Sequence, residues 1–295
     1  MEKITAKNKS RLVYLGTPIG NIEDITLRQK NALEQGEYFA VEDTRTFKQL
    51  LSNLNISYQN KHIVSWHDQS TVGQVEWVAQ QLKAGHDVYV ASEAGSPAVS
   101  DPGHDLMVQL RSLIGETFIL DTFPGCSSVM VALELCEFPP FPFHFHGFFP
   151  RSLNDKDQLS KKISTSPGLH LFFESPHRIL ETRIWIEDNW QREKVVFLRE
   201  LTKEFHSVYH LKHFSRDESL PNLDRGELVM AYYIDKNSQE DLEALSYLSK
   251  GEIREKITKY LVSKKDKKSL AQLFADMLGG TSKEWYQKLI ENVIE

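Results

Sequence analysis

The sequence predicts an α/β protein that ends in a helical segment. Up to about residue 121, short apolar runs rich in Val, Ile, Phe and Tyr alternate with segments of helical periodicity. Beyond that point the apolar runs follow one another more closely, and no strand-like run occurs from residue 241 to the C-terminus. These observations predict two α/β domains, residues 1–121 and 122–238, and a small helical extension, residues 239–295.

The first predicted domain alternates five strands with four helices. Because a helix-length segment separates successive apolar runs, largely parallel pairing is expected. The predicted strands are residues 12–15, 38–41, 63–65, 88–91 and 118–120, and the predicted helices are residues 26–33, 46–54, 72–82 and 105–113.

The second predicted domain begins at residues 122–125, where a strand ends in Phe-Pro-Gly. Its apolar runs are residues 145–149, 169–173, 195–198, 208–214 and 228–234, of which the last three predict neighbouring antiparallel strands. After a break at residues 236–240, the remaining chain predicts two or three amphipathic helices.

The composition is that of a folded protein with no overall attraction to nucleic acid. The 295 residues are 40% hydrophobic, which suffices for a core, and the formal net charge is -6. Any contact with nucleic acid must therefore be local. The most basic segment is residues 250–268, with eight Lys or Arg against three acids. It is a candidate contact for nucleic acid, and the alternative interpretation is a solvated helix face.

Two cysteines and the N-terminal residues bear on the compartment. Cys126 and Cys136 lack the spacing of a zinc site and the density of a disulfide scaffold, so both are predicted to be reduced and buried. The N-terminal residues contain no apolar stretch long enough for a signal peptide or a membrane span. The sequence therefore predicts a cytoplasmic protein that does not enter a membrane.

Four loops that follow predicted strands are rich in glycine, proline, serine and acids. Ligands of open α/β sheets bind outside the carboxyl ends of the strands, and glycine lets a ligand approach the main chain closely. One such loop would be an ordinary turn, but four at corresponding strand ends predict a main-chain-lined pocket for a small polar ligand. The loops are GTPIGN (16–21), EDTR (42–45), SEAGSPAVSDPGHD (92–105) and FPGCSS (123–128).

These loops belong to a series of motifs that occur in order between residue 11 and about residue 235. The series comprises GTPIGNIEDITLR (16–28), EDTR (42–45), SEAGSPAVSDPG (92–103), PGCSS (124–128), GFFPR (147–151), FFESPHR (172–178), RELTK (199–203) and GELV (226–229). It resembles the tetrapyrrole methylase superfamily and, within it, the branch that methylates ribosomal RNA. Glu93 and Cys126 stand where that family has an aspartate and a second proline.

The resemblance implies two α/β domains with S-adenosylmethionine (SAM) bound in the cleft between them, and a homodimer. It also implies 2′-O-methylation of a cytidine ribose in the decoding region of 16S rRNA, within the small ribosomal subunit. No metal is implied. The positions that match the family's SAM site are Pro18, Gly95, Ser96, Pro97, Ser100, Asp101, Ser127 and Ser128.

Methyl transfer to a ribose requires that the nucleophile lie in line with the S–CH₃ bond. A 2′-hydroxyl is a poor nucleophile at neutral pH, so a base, or a cation that stabilises the alkoxide, would contribute roughly 10²–10⁴-fold. The candidates are Glu42, Asp43 and Arg45 in EDTR, Glu174, His177 and Arg178 in ESPHR, and Glu200 and Lys203 in RELTK. Each has a structural alternative: a helix-surface pair for Arg45, capping or packing for His177, and a bridge at a strand end for Glu200 with Lys203.

Three other functions remain open on the sequence alone. Within the superfamily, the alternative is methylation of a tetrapyrrole or of the diphthamide residue, although ESPHR and RELTK resemble the rRNA branch. The acidic loops EDTR and SDPGHD could hold Mg²⁺ in a phosphohydrolase, but they lack a regular ligand spacing. A non-catalytic RNA- or ribosome-binding protein is the third alternative.

Overall fold

The computed structural model describes residues 9–67, 72–101, 103–216, 218–235, 271, 281–283 and 286–287. Contacts divide the chain into two compact units, Met1–Ile234 and Asp235–Glu295. Most of the predicted helical extension, and all of its basic segment at residues 250–268, lie outside the described residues. Within the described part of the chain, no helix is both long enough and apolar enough to cross a bilayer.

The first sheet contains five parallel strands in the order β3-β2-β4-β1-β5. Its central strand β4 is buried along its whole length, as expected for a strand that helices cover on both faces. The five predicted strands are confirmed, with small differences at their ends. Their bounds are β1 (Arg11–Leu15), β2 (Tyr38–Val41), β3 (His62–Ser65), β4 (Val88–Ala91) and β5 (Ile119–Phe123).

Helices cover both faces of this sheet. The helices α1 (Leu27–Gln35) and α2 (Thr44–Asn53) pack on one face, and α3 (Val72–Lys83) and α4 (Gly103–Ile114) pack on the other. The neighbouring strands β1 and β4 are therefore followed by helices on opposite faces. After the two loops, the chain thus continues to opposite faces of the sheet, and such a switch point is where open α/β sheets form their ligand crevice.

The second sheet is mixed, with the order β6-β7-β10-β8-β9. Strands β6 and β7 are parallel and the other pairs are antiparallel, so the predicted antiparallel neighbours β8, β9 and β10 are confirmed. The bounds are β6 (Phe143–Phe148), β7 (Gly168–Glu174), β8 (Val195–Arg199), β9 (Ser207–His210) and β10 (Leu228–Ile234).

One predicted strand, residues 208–214, is too long. Strand β9 ends at His210, and Leu211–His213 form a 3₁₀ turn. Leu211 is buried and Phe214 packs against the same hydrophobic core. The apolar side chains at the end of this run are therefore buried although they lie in a turn. Periodicity cannot distinguish such a turn from a continued strand.

Two hydrophobic clusters cover the second sheet. One face packs against α6 (Leu153–Ser164) and α7 (Ile179–Asn189) through an aromatic core. The other face packs against α5 (Ser128–Leu135), and this cluster also includes Ile19 from the GTPIGN loop. The loop after β1 is thus packed into the core of the second sheet, and both sheets lie in one compact unit. The domain division after residue 121 stays a prediction.

Both cysteines are free, but their environments differ. Cys136 is buried, and burial raises the pKa of its thiol to about 12. Cys126, in the FPGCSS loop, is only partly buried, so the prediction of burial holds for Cys136 alone.

Candidate active site

Two loops meet at the switch point of the first sheet through a pair of main-chain hydrogen bonds. The N–H of Thr17 donates to the carbonyl of Gly95 at 2.8 Å, and the N–H of Gly95 donates to the carbonyl of Thr17 at 3.1 Å. Gly95 has φ +79°, in the left-handed region that favours glycine. Because Thr17 engages both of its main-chain groups, Gly95 forms a wall of the site and does not offer its main chain to a ligand.

A cavity of about 470 Å³ opens beside this bridge, between the carboxyl ends of the strands of the first sheet and one end of the strands of the second. This volume lies within the usual range of small-molecule sites, about 300–1,000 Å³. The lining comes from the loops after β1, β2 and β4, from the start of α5, and from the ends of β6, β7 and β10. Both sheets therefore contribute to a single site.

Five of the eight residues predicted to bind SAM line this cavity: Gly95, Ser96, Asp101, Ser127 and Ser128. The other three, Pro18, Pro97 and Ser100, are not lining residues but shape the same loops. The carbonyl of Pro97 accepts a hydrogen bond from the N–H of Gly103 at 2.8 Å, and Ser100 has φ +65°.

The apolar part of the lining does not belong to the candidate residues that the motifs indicate. Ile19, Val99, Val129 and Leu201 all face the cavity. Their only signal in the sequence is adjacency to the motifs, because isolated apolar residues resemble ordinary core positions.

The first turn of α5 forms one end of the cavity. Ser127 is its N-cap residue, and Ser127, Ser128 and Val129 all line the cavity. The Ser127 side chain makes no capping hydrogen bond. The first N–H groups of a helix have no partner within the helix, and the helix dipole favours negative charge there. This end of the cavity therefore suits a carboxylate or phosphate group.

Three carboxylates give another part of the wall a negative charge: Glu42, Glu93 and Glu227. Glu42 accepts a hydrogen bond from the main-chain N–H of Glu93 at 3.1 Å. Burial, and then the nearby Glu42 carboxylate, raise the pKa of Glu93 above its usual value. This wall favours a cationic group. Among the described residues, no group of three His, Cys, Asp or Glu side chains is placed to hold a metal ion.

The ESPHR motif contains a buried ion pair. Glu174, the last residue of β7, accepts hydrogen bonds from Arg178 at 2.8 Å, from the Thr182 hydroxyl at 2.6 Å and from the N–H of Ser175 at 2.7 Å. Its side chain is fully buried although the residue lines the cavity. Since the protein engages both of its oxygens, we interpret Glu174 with Arg178 as the pair that holds the start of α7. His177 is exposed and is not a lining residue.

The RELTK motif has an unusual main chain. Glu200 and Thr202 have φ of 51° and 64°, and such conformations cost about 1–3 kcal/mol each in non-glycine residues. The Glu200 carboxylate accepts hydrogen bonds from the N–H of Glu227 at 2.8 Å and from Lys203 at 3.1 Å. Burial opposes the charge of Glu200, but these two hydrogen bonds and the positive charges of Lys203 and Arg199 together outweigh it and lower its pKa.

Lys203 links this motif to the GTPIGN loop. A Cβ built on Gly20 would lie 2.2 Å from Cγ of Lys203, so only a glycine lets the lysine stem cross there. The Lys203 ammonium also lies 3.1 Å from a carboxylate oxygen of Glu227. Burial opposes the charge of Lys203, but its hydrogen bonds to Glu200 and Glu227 outweigh it and raise its pKa. Lys203 is therefore a cation and not a base. Its ammonium contacts the lining residue Glu227, but Lys203 and Glu200 are not themselves lining residues.

Arg45 of the EDTR motif lies outside the cavity lining. Its guanidinium pairs with Asp43 at 2.6 Å, and its side chain is 90% exposed. The Asp43 carboxylate also caps α2 by accepting from the N–H groups of Arg45 and Thr46. Hydrogen bonds from Arg45 hold the pKa of Asp43 well below its usual value. Of this motif, Glu42 reaches the cavity.

The different settings of Arg178 and Arg45 lead to a prediction for stability. Arg178→Ala leaves the buried Glu174 carboxylate without its charged partner, so we expect the free energy of unfolding to fall by about 3–5 kcal/mol. Arg45→Ala, which removes an exposed pair, should leave that free energy nearly unchanged. Urea denaturation followed by circular dichroism measures both. Equal, small losses would show that the Glu174–Arg178 pair does not hold the fold.

Comparison with known proteins places the chain among methylases. Residues 11–214 match the family of tetrapyrrole (corrin/porphyrin) methylases. The ribosomal RNA small subunit methyltransferase I of Rickettsia prowazekii is 31% identical over 75% of this chain and 78% of its own length. The protein of the same name from Thermotoga maritima is 32% identical over 71% of this chain and 94% of its own length.

Solved structures show the same fold at low sequence identity. The methyltransferase CobJ superposes with a TM-score of 0.56 at 12% identity, covering 77% of this chain and 95% of that protein. Diphthine synthase gives a TM-score of 0.56 at 12% identity, covering 79% of this chain and 94% of its own. By its profile match and its relatives, the chain belongs to the tetrapyrrole (corrin/porphyrin) methylase family and is a methyltransferase.

Proposed function

We propose that this methyltransferase transfers the methyl group of SAM to 16S rRNA, at the 2′-hydroxyl of a cytidine in the decoding region. The observation that carries the proposal is the cavity at the switch point, where five residues of the matching SAM positions line one site. The relatives above 30% identity are named for an rRNA of the small subunit. We further propose that the substrate is the rRNA within the assembled small subunit, and that the protein is a cytoplasmic homodimer.

The chemistry of the lining fits SAM. The start of α5, at Ser127 and Ser128, would receive its carboxylate, because helix N-termini favour anions. The wall of Glu42 and Glu93 would face its ammonium and sulfonium charges. When bound, SAM supplies a methyl group that the sulfonium charge activates.

The residues of this chain would then act on the ribose. Lys203, which keeps its proton, would stabilise negative charge on the 2′-oxygen as the methyl group is transferred. Glu93, whose pKa is raised by burial and by the nearby Glu42 carboxylate, would accept the hydroxyl proton. Two other residues of the motifs, His177 and Arg45, are proposed as contacts for RNA because both are exposed. Arg178, which pairs with Glu174, is proposed to position the ESPHR loop.

The basic segment at residues 250–268 is a second proposed RNA contact. An acidic chain that holds a polyanion needs at least one positive surface, and this segment has the densest positive charge. Phosphate contacts of this kind position the RNA without reading its sequence. The segment lies outside the described residues, so this proposal depends on charge alone.

The alternatives within the superfamily are methylation of a tetrapyrrole or of a diphthamide intermediate. CobJ and diphthine synthase share the fold, but at 12% identity the likeness extends no further than the fold. The rRNA assignment is favoured because relatives at 31–32% identity carry that name.

The substrate is tested by mass spectrometry of nucleosides from 16S rRNA. Cells that lack this protein should lose one 2′-O-methylcytidine, and purified protein with SAM should restore it on their small subunits. If the nucleosides are unchanged, the rRNA assignment is wrong, and methyl transfer to a tetrapyrrole or protein should be assayed instead.

The cofactor site is tested with two glycines that share a left-handed main chain. Gly95→Val adds a branched side chain to the cavity wall and strains a residue with φ +79°, so SAM affinity should fall at least about tenfold. Gly85→Val strains a residue with φ +88°, where nothing lies within 4 Å, so it should leave SAM affinity unchanged. Calorimetry in EDTA measures both, and unchanged affinity for Gly95→Val would remove that loop from the site.

The role of Lys203 is tested by Lys203→Met, which keeps most of the stem over Gly20 but removes the charge. We expect the methyl-transfer rate to fall roughly 10²-fold or more, with SAM affinity nearly unchanged. Lys212→Met, at an exposed lysine, is the matched control and should leave the rate unchanged. If Lys203→Met loses as much SAM affinity as methyl-transfer rate, the lysine has only a structural role, which is to hold the GTPIGN loop in place.

A further inference from the structure

Strand β6 carries one extra residue near its end. Phe145 pairs with Leu171 of β7, so regular pairing would set Gly147 opposite Phe173. Instead Phe148 is opposite Phe173, and Gly147 has φ +70°. This is a β-bulge with a glycine in the left-handed conformation, and bulges redirect the side chains that follow them.

The bulge moves Phe148 to the cavity side of the sheet. Before it, His146 stacks on Phe172, on the side of α6 and α7, at a ring distance of 4.8 Å. Strict alternation would send Phe148 to that same side. Instead Phe148 packs edge to face against Phe173 at 5.7 Å, and Phe149 takes the place on the Phe172 side at 5.5 Å.

Phe148 is 61% exposed, and yet it lines the cavity. Burying a phenylalanine stabilises a protein by about 1.5–3 kcal/mol, so a ring held in solvent at the mouth of a site gives up that stabilisation. By contrast, the apolar lining residues Ile19, Val129 and Leu201 are at most 7% exposed, and the other exposed apolar side chain of the lining, Val99, has no ring and is 42% exposed. The three buried residues provide an enclosed apolar surface for the cofactor, while Phe148 faces what enters from solvent.

We propose that Phe148 stacks on the base of the nucleotide whose ribose is methylated. The inference rests on the proposed function, because it assumes an RNA substrate at this cavity. Single-stranded nucleotides are held by aromatic rings, and stacking on one ring contributes about 1–3 kcal/mol for each base. The ring suits this role since the bulge fixes its main chain and Phe173 supports it from one side.

The experiment compares variants of Phe148 on small subunits taken from cells that lack this protein, with radiolabelled SAM. Phe148→Ala and Phe148→Leu should lower kcat/KM for subunits by about 5- to 150-fold, chiefly through KM, with SAM affinity by calorimetry unchanged. Phe148→Tyr and Phe148→Trp keep a ring and should retain most of the activity. Ile184→Ala, which shortens a side chain of 60% exposure on α7, is the control and should behave as the unmodified protein.

Each other result would overturn the proposal in a distinguishable way. If Phe148→Ala and Phe148→Leu weaken SAM binding as much as they raise KM, the ring holds the adenine of the cofactor. If Phe148→Leu is as active as Phe148→Tyr, the site needs apolar bulk and no stacking. If the unmodified protein transfers no methyl group to subunits while it binds SAM, the proposed function fails and the stacking role fails with it.

Discussion

The site depends on the two hydrogen bonds between Thr17 and Gly95. They join the loops after β1 and β4 at the switch point, where the chain continues to opposite faces of the sheet. Without these bonds, the crevice between the two loops would open to solvent. Each bond contributes only about 0.5–1.5 kcal/mol, so its importance lies in position more than in strength. With the loops joined, Ile19 can enter the core of the second sheet and the residues after Gly95 can form the cavity wall.

A second connection holds the other side of the cavity. Lys203 crosses Gly20 and reaches Glu200 and Glu227, and the N–H of Asn21 donates to the Thr202 hydroxyl at 3.3 Å. The left-handed main chain at Glu200 and Thr202 is strained, and this strain accompanies the position of the lysine, since a relaxed main chain would direct Lys203 elsewhere. The same side chain thus joins two parts of the chain and places a positive charge next to Glu227, a residue of the cavity wall.

The distribution of charge separates the two proposed ligands. The carboxylates of Glu42, Glu93 and Glu227 favour a cationic cofactor and repel phosphate. An RNA chain would therefore keep its backbone outside and present only one nucleoside to the cavity. Phe148 at the mouth offers an uncharged surface for such a nucleoside, while the overall charge of -6 leaves phosphate binding to local basic groups.

The sequence by itself determined the strands of the first sheet, the antiparallel strands of the second, and the loops that carry the site, because periodicity and turn residues are local signals. Only the tertiary structure decided which side chains act there. Three contacts join residues that local patterns do not relate. They are the buried pair of Glu174 with Arg178, the crossing of Lys203 over Gly20, and the two main-chain hydrogen bonds of Gly95 with Thr17. The side of the sheet on which the Phe148 ring lies depends on one extra residue at Gly147, because a shift of one residue moves every later side chain of a strand to the opposite face.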